Sequence, residues 1–191
     1  VVYTSNNQLL NVRADGSNRS LLVDGGKVDE NNRYLTYISN PIFAPNGQTI
    51  AFGYKGLSFY SIASGQYNTV LENKFDTFDG GFSIPRELFW PETYTADGSK
   101  LLITLGYYEG ASAALYYPNG GTLVQLTGGE GAMICCGETE WTSDGSAFYA
   151  ASPTFGMFSA GLWRVDAATG KVTTLLSGSF DTNPLNLADE P

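Results

Sequence analysis

The 191-residue chain contains no histidine. Ser-His-Asp and Cys-His arrangements therefore cannot be assembled from its residues alone, and zinc sites of the usual His/Cys type lose most of their ligands. Basic residues are also scarce: ten Lys and Arg stand against nineteen Asp and Glu, a formal net charge of −9. That balance argues against nucleic acid as a partner, because such binding needs Lys and Arg to neutralise phosphates. Anionic membrane surfaces are disfavoured for the same reason. No run approaches the roughly 18 apolar residues of a membrane helix, so membrane insertion is not expected. No signal peptide is read ahead of Val1, so none is expected in the sequence as it stands. The chain opens on VVYTSN, a strand pattern, and processing or a chain boundary would account for that start equally well.

What is abundant points to strands and tight turns. There are 23 Gly, 12 Tyr and 11 Phe, with 42% hydrophobic and only 15% charged residues. This is enough apolar material for one folded domain with a substantial core.

Two patterns recur. The first is an aromatic residue, a short polar link, Asn/Asp-Gly and then a strand-length apolar run. It appears in PIFAPNGQTIAFGY, PETYTADGSKLLITLGY and ETEWTSDGSAFYAASP, led by Phe43, Tyr94 and Trp141. The second is a strand, a Gly-containing turn and a Leu/Thr/Val-rich strand, turning at Gly16, Gly65, Gly120 and Gly170. Asn-Gly and Asp-Gly supply the positive φ angles that two-residue turns need. The flanking runs have strand lengths and not helical spacing. Each repeat reads as four strands, and a four-stranded unit recurring about every 40 to 50 residues is the pattern of propeller blades. The expected fold is all-β: a β-propeller of four-stranded antiparallel blades, with approximate repeats over residues 1–24, 41–72, 92–127 and 139–177. Phe43, Tyr94 and Trp141 are expected to pack between neighbouring blades as core.

The first repeat lacks an inner strand. Residues 182–189, in SGSFDTNPLNLADEP, align with the inner strand of the fourth repeat and could supply it, closing a four-bladed ring. The alternative is one part of a six- to eight-bladed ring. Four hairpins in 191 residues favour closure. An open fan would leave terminal faces exposed and invite oligomerisation.

The repeats PIFAPNGQTIAFGYKGLSFYSIASGQ and ETEWTSDGSAFYAASP…GLWRVDAATGKVTTLL resemble the TolB-like (PD40) β-propeller repeat over nearly the whole chain. They depart from its Ser-Pro-Asp-Gly at Ala44-Pro45-Asn46-Gly47, Thr95-Ala96-Asp97-Gly98 and Thr142-Ser143-Asp144-Gly145. The resemblance implies a propeller, commonly six-bladed, in an extracytoplasmic, cell-envelope setting. It implies no chemistry, since propellers host many functions.

Chemical motifs are missing. GMFSAG lacks the spacing of a nucleophile elbow, and ATGKVT lacks the first glycine of a phosphate loop. Three long segments precede the inner strands, at residues 24–41, 72–93 and 127–138, and are expected to form loops on one rim. They carry Asp24, Asp29, Glu30, Asp76, Asp79 and Glu87 with Tyr34, Tyr37, Phe82, Phe89 and Trp90. Asp76, Asp79, Glu87, Phe89 and Trp90 are the candidate binding residues, although Phe89 and Trp90 also fit an inner-strand core. No cofactor is expected. Ca²⁺ is the one ion such carboxylates could hold, but no stretch has the spacing of a calcium loop.

Adjacent Cys135 and Cys136 complete the candidate set. They read either as two reduced, partly buried thiols or as an eight-membered vicinal disulfide of the kind found against ligands in some propellers. The leading function is a non-catalytic scaffold presenting its loop face to a protein, peptide or glycan. The alternatives are the gating propeller of a prolyl-oligopeptidase-type peptidase whose catalytic domain lies outside this chain, or a ring that is itself catalytic.

Overall fold

The structure is a computed structural model that describes residues 1–28, 36–79, 83–108, 110–126, 138–152 and 161–177. The described residues form sixteen strands. The first sheet has three, β1 (Val2–Ser5), β2 (Gln8–Asn11) and β3 (Ser20–Asp24), in chain order. The second has four, β4 (Ser39–Phe43), β5 (Thr49–Gly53), β6 (Gly56–Ser61) and β7 (Gln66–Glu72). The third contains β8 (Lys74–Thr77), β9 (Ser83–Tyr94), β10 (Leu101–Tyr107), β11 (Gly110–Tyr117) and β12 (Thr122–Gln125). The fourth contains β13 (Glu138–Trp141), β14 (Ala147–Ser152), β15 (Gly161–Asp166) and β16 (Val172–Ser177). All pairings are antiparallel. The architecture is the all-β, bladed one that the repeats imply.

The Asx-Gly turns explain where strands begin. Gly47, Gly98 and Gly145 have φ between 65° and 71°, a region open to glycine without a Cβ penalty. In two of these turns the aspartate closes the loop: Asp97 Oδ1 accepts from Thr95 Oγ1, Ser99 N and Ser99 Oγ, and Asp144 accepts likewise from Thr142 and Ser146. These bonds, led by the one from the threonine, hold both carboxyls at about 2, below the ordinary 3.8. In the outer hairpin of the third sheet the left-handed residue is Gly121, one position beyond Gly120.

The core lies between sheets. Leu9, Val23, Ile38, Ile50 and Phe52 fill the space between the first and second. Ala51, Leu57, Phe89, Leu101, Ile103 and Leu105 fill the next, and Leu102, Leu115, Trp141, Phe148 and Val165 the last. Leu101, Ile103 and Leu105 thus face the second sheet while Leu102 faces the fourth, so β10 is buried on both faces and its sequence is mostly apolar, broken by Thr104. Tyr94 and Trp141 are buried in these seams, and Phe43 is packed against the first.

One sequence expectation changes here. Residues 72–93 are not a loop. Residues 74–77 and 83–87 pair as a hairpin, and β9 runs on without a break to Tyr94. Opposite charges on facing strands support it, with Lys74 bridging Glu87 and Arg86 bridging Asp76. The apolar seam between the first and second sheets is also keyed by one polar side chain. Asn7 donates to Gly26 O at 3.1 Å and Thr36 O at 2.7 Å, and accepts from Ile38 N at 2.8 Å. Its φ of 58° is one that asparagine tolerates better than most residues. Residues 182–189, the expected closing strand, lie outside the described residues.

Asn7→Ala is expected to destabilise the fold by about 1 to 3 kcal/mol, because it takes the acceptor from the buried Ile38 N–H. The measurement is the urea midpoint, which should fall at unchanged slope. An unchanged midpoint would show that Asn7 is not the tie.

Candidate functional site

A cavity of about 290 Å³ opens between the second and third sheets. Trp90 decides its shape. The residue sits in β9 opposite Thr104, and its indole spans two glycines on different sheets. A Cβ on Gly106 would collide with the six-membered ring, and one on Gly53 would stand 3.3 Å from Cδ1. Both glycines fall in the same place in their repeats, the Gly-Tyr of IAFGY and ITLGY. Glycine inside a strand often marks such close approach.

Next to Trp90 the pairing slips. Pro91 pairs with Ile103 and Thr93 with Leu102, which leaves Glu92 as the extra residue of a bulge. Proline suits this place because it has no N–H to give the ladder, and a bulge re-aims the residue it carries. Glu92 lines the cavity and accepts from Thr104 Oγ1 at 2.6 Å. Burial pushes its carboxyl above the ordinary range; the Thr104 bond pulls the other way, and nearby Glu138 adds to the rise.

The remaining wall is polar and aromatic. Ser39, Asn40, Tyr37, Tyr54 and Asn73 line it. Asn73 Oδ1 accepts from Phe89 N at 3.0 Å, and Asn73 N donates to Lys55 O at 2.9 Å, which ties the end of β7 to both neighbours. Lys55 Nζ stands 5.1 Å from the Tyr54 ring centroid.

Of the residues singled out from sequence, Trp90 lines this cavity and Phe89, 3% exposed, is core at its floor. Asp76 and Glu87 are on the β8–β9 hairpin, engaged by Arg86 and Lys74, and Asp79 is exposed beyond β8. These three acidic residues do not line the cavity. Cys135, Cys136, Asp29, Glu30, Tyr34 and Phe82 lie outside the described residues. Among the described residues, no group of three or more His, Cys, Asp or Glu side chains could hold a metal ion. Sequence reasoning passed over Glu92 and Thr104. The available signals were a carboxylate directly after proline in LFWPETY and the paired Gly-Tyr strand ends.

No family model matches the chain, and no curated protein matches it by sequence. Solved structures do. An oligogalacturonate lyase in complex with manganese matches with a TM-score of 0.59 and 15% identity, over 89% of this chain and 42% of its own. An auxiliary nutrient binding protein from Bacteroides ovatus matches at 0.53 and 15%, over 90% and 37%. Puromycin hydrolase matches at 0.51 and 17%, over 92% and 25%. The fold is propeller-like. The chain spans less than half the length of each of these three structures.

The sign of the Glu92 shift gives a stability test. A carboxyl raised in the folded state contributes fully below its ordinary value of 4.5, and that contribution is lost as pH rises through the folded-state value. Glu92→Gln keeps the Thr104 bond without the charge. Thermal unfolding should show the variant gaining on wild type as pH rises from about 4.5 to 8, with the two closest at the acid end. A gap independent of pH would contradict the burial of a titrating carboxyl.

Proposed function

We propose that this chain is a non-catalytic binding scaffold, a run of propeller blades whose cleft between the second and third sheets receives an extended polar ligand. The observation that carries the reading is Trp90, a half-buried indole held by two glycines beside a cavity that also presents Glu92 and several amides. Aromatic rings beside a few placed polar groups, in a concave and pre-formed wall, are the usual makings of a ligand site. Thr104 donates to Glu92 in the wall, but the described lining residues include no histidine, cysteine or lysine, so we weigh recognition above turnover. The TolB-like repeats add an extracytoplasmic setting and partners of the protein, peptide or glycan classes. A second reading, the access-controlling propeller of a peptidase, draws on the likeness to puromycin hydrolase, of which this chain spans 25%. In that reading the cleft would receive a peptide.

The test is calorimetric titration of the 191-residue chain with three probe classes: neutral oligosaccharides, oligogalacturonate and short unstructured peptides. Saturable binding of one class, weakened about tenfold or more by Trp90→Phe, is the expected outcome. Binding that Trp90→Phe leaves untouched, or no binding by any class, would contradict the reading.

A further inference from the structure

The cavity beside Trp90 has a neighbour. A second one, of about 360 Å³, lies against the first sheet and is lined by Thr4 and Ser5 of β1, Asn6 of the β1–β2 turn and Ile38. Tyr37 lines both cavities. Tyr37, 41% exposed, belongs to the segment that Asn7 fixes through Thr36 and Ile38. A ligand reaching from Trp90 past Tyr37 to the β1–β2 turn would run along three sheets.

The chemistry of the groove is narrow. Among the described residues, Glu92 is the single charged side chain lining either cavity, and no lysine or arginine lines them. Lys55 stands over the Tyr54 ring and is not part of the wall. Asn6 and Asn40, both exposed and both at left-handed φ, bring amides to the two ends. Amides and hydroxyls match a ligand rich in hydroxyls, and the faces of Trp90 and Tyr37 match the C–H faces of pyranose rings. A uronate chain would place carboxylates against Glu92 with no lysine or arginine among the described lining residues to meet them.

We propose that the groove joining the two cavities through Tyr37 binds a neutral oligosaccharide, long enough to reach from Trp90 past Tyr37 towards the first sheet. This rests on the binding-scaffold reading and adds the ligand class and the span.

The experiment titrates the full chain with cellohexaose, xylohexaose and mannohexaose, with the matching disaccharides, with hexagalacturonate and with a short unstructured peptide. At least one neutral hexasaccharide should bind saturably, its disaccharide at least about tenfold more weakly, and Tyr37→Ala should weaken the hexasaccharide by about tenfold. Tyr37 is well exposed, so its truncation leaves the seams intact, and an unchanged urea midpoint confirms that the variant folds. Hexagalacturonate or peptide binding without neutral-sugar binding would overturn the ligand class and leave the scaffold reading standing. Equal affinity for disaccharide and hexasaccharide, or indifference to Tyr37→Ala, would overturn the span. No binding by any probe would overturn both.

Discussion

Flank-to-flank packing of consecutive sheets is the constraint on which this molecule depends. Each sheet is too thin to bury its apolar faces alone, and three seams between neighbours supply the core. The seams are keyed as well as greasy. Trp141 Nε1 donates to Thr93 O at 3.2 Å, and Lys100 Nζ donates to Gly145 O at 3.1 Å, so the third and fourth sheets are joined by polar bonds at the rim of the apolar contact. The turn glycines fit the same joints. Gly98 lies in contact with Pro45 of the preceding sheet, and at Gly145 a Cβ would stand 3.2 Å from Thr95 Cγ2, so that glycine supplies clearance as well as the backbone angle.

The cleft is a consequence of that packing. Where β9 crosses from core to rim, Trp90 takes up the space left by Gly53 and Gly106, and the bulge at Glu92 turns a carboxylate to the opening. The site is thus assembled from inner strands, which are held on both flanks. Side chains so placed are oriented before a ligand arrives, which reduces the ordering that binding would otherwise require. At the first seam Asn7 adds hydrogen bonds to the packing, holding the segment that bears Tyr37.

Much of the fold was legible because it repeats. Asx-Gly turns, a leading aromatic and strand-length apolar runs each have a local cause, and their recurrence specifies blades without any long-range information. The site was legible in part. Trp90 stood out as an aromatic before proline, but the choice between surface and core for Phe89 and Trp90 depends on register, which a one-residue slip reverses. The bulge at Glu92 sets that register and arises from tertiary pairing with β10. The segment 72–93 was misread as a loop because charged residues at Lys74, Asp76, Arg86 and Glu87 look like solvated surface until their cross-strand partners are known. Glycines inside Gly-Tyr strand ends carry the clearest unread signal, since they break apolar runs at matching places in two repeats.

The most direct measurement uses the chain's three tryptophans, Trp90, Trp141 and Trp163, whose indole N–H groups give separate signals in a ¹⁵N-edited NMR spectrum. Trp90→Phe assigns the first of them. Titration with a neutral hexasaccharide should move the Trp90 resonance progressively to saturation and leave Trp141, buried in the seam between the third and fourth sheets, in place. Movement confined to Trp141 or Trp163, with Trp90 unmoved at saturation, would put binding elsewhere and contradict the account of this cleft.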